Sequence, residues 1–195
     1  MSDELSIIVS EQSNPLDGAA FAAGPGPMLV MASAGDCARF SLRTAKKNLA
    51  KATEAFGQVI PPQIGEMSSR AVKTALCLGP DEWLLLAPES ERESITARFA
   101  KQSEQATHSL VDVSHRSVGI DISGPGAALV LNAGCPLDLT ALPVGGCTRT
   151  ILDKAEIILM KPGKEHYRLE VVRSFADFVW NFLSSAGREF ETESG

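Results

Sequence analysis

Asp112, Ser114 and His115 are the residue types of a hydrolase triad, in which an acid orients a histidine base against a hydroxyl nucleophile. A triad, however, draws its three groups from separate segments, and these three are almost contiguous. On a strand Asp112 and Ser114 share one face while His115 points to the other. The spacing therefore reads as a polar strand end whose side chains bond local backbone or a partner. His108 and His166 have no cysteine, histidine or carboxylate neighbour at ligand spacing, so all three histidines read as structural or exposed. The four cysteines, Cys37, Cys77, Cys135 and Cys147, include no Cys-x-x-Cys pair. That spacing offers neither a zinc site nor a redox motif and suits buried thiols in a reduced, cytoplasmic protein.

Gly124-Pro125-Gly126, between an apolar strand pattern and a helix pattern, has the look of a dinucleotide fingerprint. Leu129 stands where the third glycine would allow close helix packing, and Pro125 lacks an N–H that could cradle phosphate. Helix capping is the better reading. Lys154, Lys161, Lys164, Arg168 and Arg173 thicken positive charge near the C-terminus, which reads as a solvated face rather than an anion-binding patch. Arg116 and Arg149 differ, since each lies in a turn or strand-end context where a guanidinium fork can clamp a carboxylate or a row of carbonyls. Trp83 lies in an apolar strand, with core packing as the plain reading and a partner-facing anchor as the sharper one. The candidate subunit-interface residues are thus Trp83, His115, Arg116 and Arg149. No catalytic, cofactor-binding or metal-binding residue is assigned.

The whole chain narrows the field further. Its 195 residues fit one well-filled domain or two small fused halves, and 44% hydrophobic with 22% charged residues is a globular composition. A net charge of -6 and a pI near 5.1 argue against nucleic acid, which needs a clustered basic face. Asp3 and Glu4 stand where a secretory signal carries positive charge, and no apolar run approaches the roughly 20 residues of a membrane span.

The elements that must position these residues follow from periodicity. Residues 1–36 are expected to form an arm or poorly packed lead-in, since Gly24-Pro25-Gly26-Pro27 fixes a bend that no helix or central strand contains. A strand is expected from Cys37 to Leu42, then a helix capped by Thr44 with Ala45, Leu49, Ala52 and Phe56 on one face until Gly57. Residues 58–70 read as an exposed loop. Alternation from Ala71 to Leu78, the turn Gly79-Pro80-Asp81-Glu82 and the apolar run Trp83 to Ala87 predict a hairpin. Ser90 with Glu93 forms a capping box for a helix to about Glu104, and Ser109 to Val113 closes the first half. The second half repeats the order: a strand through Val118, Ile120 and Ile122, a helix ending at Gly134, a hairpin about Pro162-Gly163, and a helix capped by Ser174 or Asp177 with Phe175, Phe178, Val179, Phe182, Leu183 and Ala186 at helical spacing. The expected fold is α+β, two βαββα-type (ferredoxin-like) halves, about 37–113 and 114–190, fused in one domain with a tail at 191–195.

Several spaced blocks carry a resemblance. Leu78 to Leu86, Val111-Asp112-Val113-Ser114-His115-Arg116-Ser117-Val118-Gly119, Leu131 to Leu139, Gly146 to Thr150, Lys154-Ala155, Arg173-Ser174-Phe175-Ala176 and Val179-Trp180 together resemble the gamma subunit family of heterotetrameric sarcosine oxidase, over about residues 37–190. The resemblance implies a bacterial cytoplasmic complex of alpha, beta, gamma and delta subunits. Such a complex oxidises sarcosine to glycine with oxygen, forming hydrogen peroxide and 5,10-methylenetetrahydrofolate or formaldehyde. It implies FAD, FMN and NAD in alpha and beta, zinc in delta, and no cofactor or autonomous catalysis in gamma. A more distant likeness is to the folate-binding part of the glycine cleavage T-protein, which shares an Asp-Val-Ser-His block and has a later segment with paired aspartates. Here that segment reads Ile151-Leu152-Asp153-Lys154-Ala155-Glu156-Ile157, with Asp153 alone. The alternative reading, a free-standing folate-binding aminomethyltransferase-like module, predicts a closed apolar pocket with a carboxylate near Asp153 or Asp112.

Overall fold

The computed structural model describes residues 13–24, 26 and 28–191, and it builds them into two antiparallel sheets with α-helices on their outer faces. The first sheet contains β1 (Ala20–Ala23), β2 (Leu29–Ser33), β8 (Ser117–Ser123), β9 (Gly146–Leu152), β10 (Ala155–Gly163) and β11 (His166–Val172), in the order β1-β2-β8-β11-β10-β9. The second contains β3 (Ala38–Thr44), β4 (Met67–Arg70), β5 (Lys73–Gly79), β6 (Glu82–Ala87) and β7 (His108–Asp112), in the order β4-β5-β6-β3-β7. Helices α1 (Leu49–Phe56) and α2 (Arg92–Gln102) cover the second sheet, while α3 (Ala127–Asn132) and α4 (Ala176–Gly187) cover the first.

Strand alternation explains the layering. Along β3, Ala38, Phe40 and Leu42 join the core beneath α1 and α2, so Arg39, Ser41 and Arg43 must face the other way, toward the first sheet. Leu76 and Leu84 likewise turn inward and meet Cys147 and Met160 in a small cluster that joins the two sheets. The sheets also touch at an edge, where Glu66 pairs with Gly146 and the Cys147 N–H donates to Gly65 O.

The expected arm gives way over its described part. β2 pairs with β8, Leu29 and Met31 are fully buried, and Leu16 joins the same core. Burying two such side chains favours the docked strand by roughly 3–6 kcal/mol, which a lead-in reading ignores. Gly24 and Gly26 lie between β1 and β2, and Gly24 suits a turn there: its φ is +92°, and a Cβ would meet the Met28 side chain at 2.7 Å. Residues 1–12 lie outside the described residues, as do 192–195 of the expected tail.

Other boundaries move for local reasons. Thr44 caps no helix, because β3 runs through it and its hydroxyl donates to Thr107 O at 2.9 Å; a short 3-10 turn then leads into α1, which ends at Gly57 in the left-handed region as expected. Ser90 and Glu93 make no capping box, and neither Ser174 nor Asp177 makes a side-chain cap at α4. The 58–70 loop is half ordered core: Gln58 and Ile60 are buried, and its end forms β4. β9 is a strand the periodicity did not announce, since Gly146-Cys147-Thr148-Arg149 reads as turn and polar residues.

Candidate functional site

The space between the two sheets holds a cavity of about 80 Å³, roofed by β3 and β6 and floored by β8, β10 and β11. Its inner end is ionic. Arg39, 2% exposed, donates from Nε to Glu170 Oε2 at 2.6 Å and from Nη1 to Cys37 O at 3.1 Å. Arg168 donates to the other oxygen, Glu170 Oε1, from Nε at 3.0 Å and Nη2 at 2.7 Å. One buried carboxylate thus serves two guanidiniums, one from each sheet. Burial pulls against the Arg168 charge, and Glu170 more than offsets it, holding the guanidinium above its ordinary pKa. The arrangement needs Gly119 beneath it, because a Cβ there would stand 2.9 Å from Glu170 Oε1 and 3.0 Å from Arg168 Nη2.

A second ionic group rims the outer end. Arg149 Nη2 meets Glu82 Oε1 at 2.7 Å, Arg43 Nη2 meets Glu82 Oε2 at 3.1 Å, and Arg149 Nε lies 3.8 Å from Glu156. The Arg149 hydrogen bond holds the Glu82 carboxyl below its ordinary range. Arg116, exposed on the same rim, makes no ion pair with any described carboxylate. Its backbone is fixed by Arg116 N–H to Val113 O at 2.9 Å and Arg173 N–H to Arg116 O at 2.8 Å.

The triad-like residues separate as their spacing suggests. Ser114 Oγ lies 2.6 Å from Asp112 Oδ1, and Asp112 is itself held by Arg92 through Nε at 2.5 Å and Nη2 at 3.2 Å. Burial would raise the Asp112 pKa, but the Arg92 and Ser114 bonds outweigh it and lower the carboxyl to about 2. Ser114 Oγ also accepts from the Arg39 N–H at 2.9 Å, so the network ties β7 to β3. His115 is exposed, and its ring bonds neither Ser114 nor Asp112. His108 is paired to Ala106 O at 2.7 Å, a local contact, and His166 to Asp121 at 3.2 Å, a contact between β11 and β8.

Of the candidate interface residues, His115, Arg116 and Arg149 reach the surface and Trp83 does not. Trp83 is fully buried beneath α1 and donates Nε1–H to Pro61 O at 2.8 Å, so it cannot be a partner-facing anchor. Arg149 is a clamp, but on Glu82 and Glu156 of its own chain. The solvated basic face is also only partial. Lys161 is buried, donating Nζ to Leu139 O and Leu142 O, both at 2.8 Å, and Arg168 is spent on Glu170. Gly126 stands at the start of α3, where a Cβ would collide with Phe190, so it serves packing, while Gly124 takes a φ of +108° at the turn before it. All four cysteines are free thiols, and burial pushes Cys147 up to about 12. Among the described residues no group of three or more His, Cys, Asp or Glu stands close enough to hold a metal ion, and no helix is long and apolar enough to cross a membrane.

Arg39 and Glu170 were missed from sequence. A faint signal existed in Arg39, a charge flanked by Ala38 and Phe40 within an apolar strand.

Two packed antiparallel sheets with outer helices place the chain in a fold class that includes glycine cleavage system aminomethyltransferase T. The solved Bartonella henselae protein of that name superposes with a TM-score of 0.60 at 12% identity, covering 78% of this chain and 44% of that one, a likeness of fold alone. Residues 44–189 match the model of the sarcosine oxidase, gamma subunit family. The sarcosine oxidase subunit gamma of Corynebacterium sp. (strain P-1) is 32% identical over 143 residues, 72% of this chain and 70% of that protein. A chain of the heterotetrameric sarcosine oxidase from Corynebacterium sp. U-96, solved with pyrrole 2-carboxylate, superposes with a TM-score of 0.78 at 25% identity over 87% of this chain and 89% of its own. The chain belongs to the sarcosine oxidase gamma subunit family.

Proposed function

We propose that this chain serves as the gamma subunit of a heterotetrameric sarcosine oxidase, packing against alpha, beta and delta subunits and stabilising the complex rather than supplying its reactive groups. The observation that carries the reading is family membership over residues 44–189, joined to a cleft that is too small for chemistry on folate. Ligand pockets span roughly 300–1,000 Å³. This one has about 80 Å³, with side chains locked in ion pairs at both ends. Asp153, the remaining carboxylate of the T-protein-like segment, lies exposed in the β9–β10 turn at a φ of 52° and does not reach the cavity.

In this reading the complex is cytoplasmic and oxidises sarcosine, with FAD, FMN and NAD in alpha and beta, zinc in delta, and tetrahydrofolate as one-carbon acceptor. The rim of the cleft, with Arg116 and Arg149, together with the exposed His115 next to Arg116 in the chain, is the face offered to a neighbouring subunit. The two halves are ferredoxin-like repeats. In the first, β3, α1, β5, β6, α2 and β7 give the order β7-β3-β6-β5; in the second, β8, α3, β10, β11 and α4 give the matching order only if β2 supplies the fourth strand, β2-β8-β11-β10. The last strand of the second half would then come from the N-terminus.

Co-expression with and without alpha, beta and delta subunits tests the reading. A yellow complex with sarcosine-dependent peroxide production that fails to assemble without this chain supports it. A chain that ignores those subunits yet binds tetrahydrofolate in calorimetry would instead favour the aminomethyltransferase-like reading.

A further inference from the structure

Arg173 bonds backbone carbonyls from two distant segments and makes no ion pair with a described carboxylate. Its Nε donates to His115 O at 3.2 Å and its Nη1 to Ser13 O, while its own N–H donates to Arg116 O at 2.8 Å. Three stretches of chain therefore meet at this residue: the segment that begins at Ser13, the turn at residues 113–116 between β7 and β8, and the 3-10 turn that leads into α4. Asp36 and Glu89 line the same hollow, but Asp36 accepts from Asn14 Nδ2 at 3.1 Å and Glu89 is paired with Arg92 at 2.7 Å.

Helix electrostatics do not account for a guanidinium here. A cation just ahead of the α4 N-terminus stands against the helix dipole, so the position works against the charge. What the side chain gains is the carbonyls, and what the carbonyls gain is a fixed turn. Arg116 is held on both sides, through its N–H to Val113 O at 2.9 Å and through its own carbonyl to Arg173 N–H, and the preceding carbonyl, His115 O, is held by the Arg173 fork. The His115 and Arg116 side chains that leave this turn are both exposed. A turn ordered before association spares the complex the entropy of ordering it afterwards.

We propose that Arg173 is a positioning residue for subunit association, bracing the turn at residues 113–116 so that Arg116 is presented to the neighbouring subunit in one orientation. This rests on the reading that the rim carrying Arg116 is the face offered to that subunit.

The full-length chain, co-expressed with alpha, beta and delta subunits, is compared as parent, Arg173→Met, Arg173→Lys, Arg116→Ala and Arg173→Met/Arg116→Ala. Arg173→Met removes the donors and is expected to weaken recovery of the complex about fivefold, the weight of one typical hydrogen bond. Arg173→Lys keeps the charge without the planar fork and is expected to fold as the parent and show the same loss. In the double variant the Arg173 change is expected to add nothing to Arg116→Ala, because a positioning residue acts through the side chain it positions. In the isolated chain, amide exchange across residues 113–117 is expected to quicken about fivefold in both Arg173 variants and to stay at the parent rate in Arg116→Ala. Additive losses in the double variant, unaltered exchange in the Arg173 variants, or full recovery with Arg173→Lys beside a weakened Arg116→Ala overturns the proposal and leaves the interface reading standing. Full recovery with Arg116→Ala, or no recovery of the parent chain, overturns the interface reading and this proposal with it.

Discussion

Removing the Glu170 carboxylate should destabilise this protein more than any other single charge deletion in the described fold. The Glu170 side chain is 1% exposed and takes bonds at 2.6, 2.7 and 3.0 Å from two guanidiniums that face each other across the sheets. In Glu170→Ala the buried Arg39 is left with no counterion and Arg168, 21% exposed, keeps only the more distant attraction of Asp121, and a buried pair broken on one side costs about 3–5 kcal/mol. Against a typical total of about 5–15 kcal/mol that is a large share. At about 2–4 °C per kcal/mol for a chain of this size, the thermal midpoint should fall by about 6–20 °C. Urea unfolding followed by the fluorescence of Trp83 and Trp180 measures the loss of stability, with an unchanged slope and a lower midpoint. The companion variant Arg39→Met/Arg168→Met/Glu170→Leu removes all three charges and should recover most of the loss, because apolar groups of similar volume avoid the desolvation cost. A Glu170→Ala penalty below about 1 kcal/mol, or a triple variant as unstable as the single, would refute the account of an ionic link between the sheets.

Three further outcomes follow from the same geometry. Asp112 has its carboxyl lowered to about 2 in the folded chain against 3.8 when free, so its contribution is complete above about pH 5 and is lost as pH falls toward 2. With 39% of the side chain exposed, solvent screening cuts that contribution to about 1 kcal/mol or less, and Asp112→Asn should flatten the acid limb of the stability curve by that amount. Gly119→Ala forces contacts of 2.9 Å on Ala34 and Glu170 and should cost about 1–3 kcal/mol in chemical denaturation, although its backbone accepts any residue. Arg116→Glu should leave the isolated chain within about 0.5 kcal/mol of the parent, since the side chain has no described ion-pair partner, and should weaken recovery of the complex in pull-down with its partner subunits.

Much of the architecture was legible. The apolar stripe of α4, the β10–β11 hairpin around Pro162-Gly163 and the β5–β6 hairpin at Gly79-Pro80 follow from periodicity and turn chemistry that act within a dozen residues. β9 and β4 escaped because edge strands half exposed to solvent need no strong alternation, although each pairs with the strand that follows it across a two-residue turn. Thr44 and Ser90 misled because a side chain able to cap a helix also bonds a carbonyl elsewhere when tertiary structure brings one close, as Thr107 O does for Thr44.

The candidate site divides along the same line. Composition, histidine spacing and the adjacency of Asp112, Ser114 and His115 were enough to argue against a triad, and the exposed position of His115 agrees. The family, too, was readable from spaced blocks of residues. What only the tertiary structure decided is which charges meet. Arg39 and Glu170 lie 131 positions apart and become partners because two sheets stack. Trp83 turned from a partner-seeking candidate into a buried donor to its own chain, through Pro61 O, while Arg149 stays exposed at the rim and also pairs with Glu82. Local sequence sets which face of a strand a side chain takes, whereas the identity of what stands opposite depends on loops and sheets that pack only when the whole chain has folded.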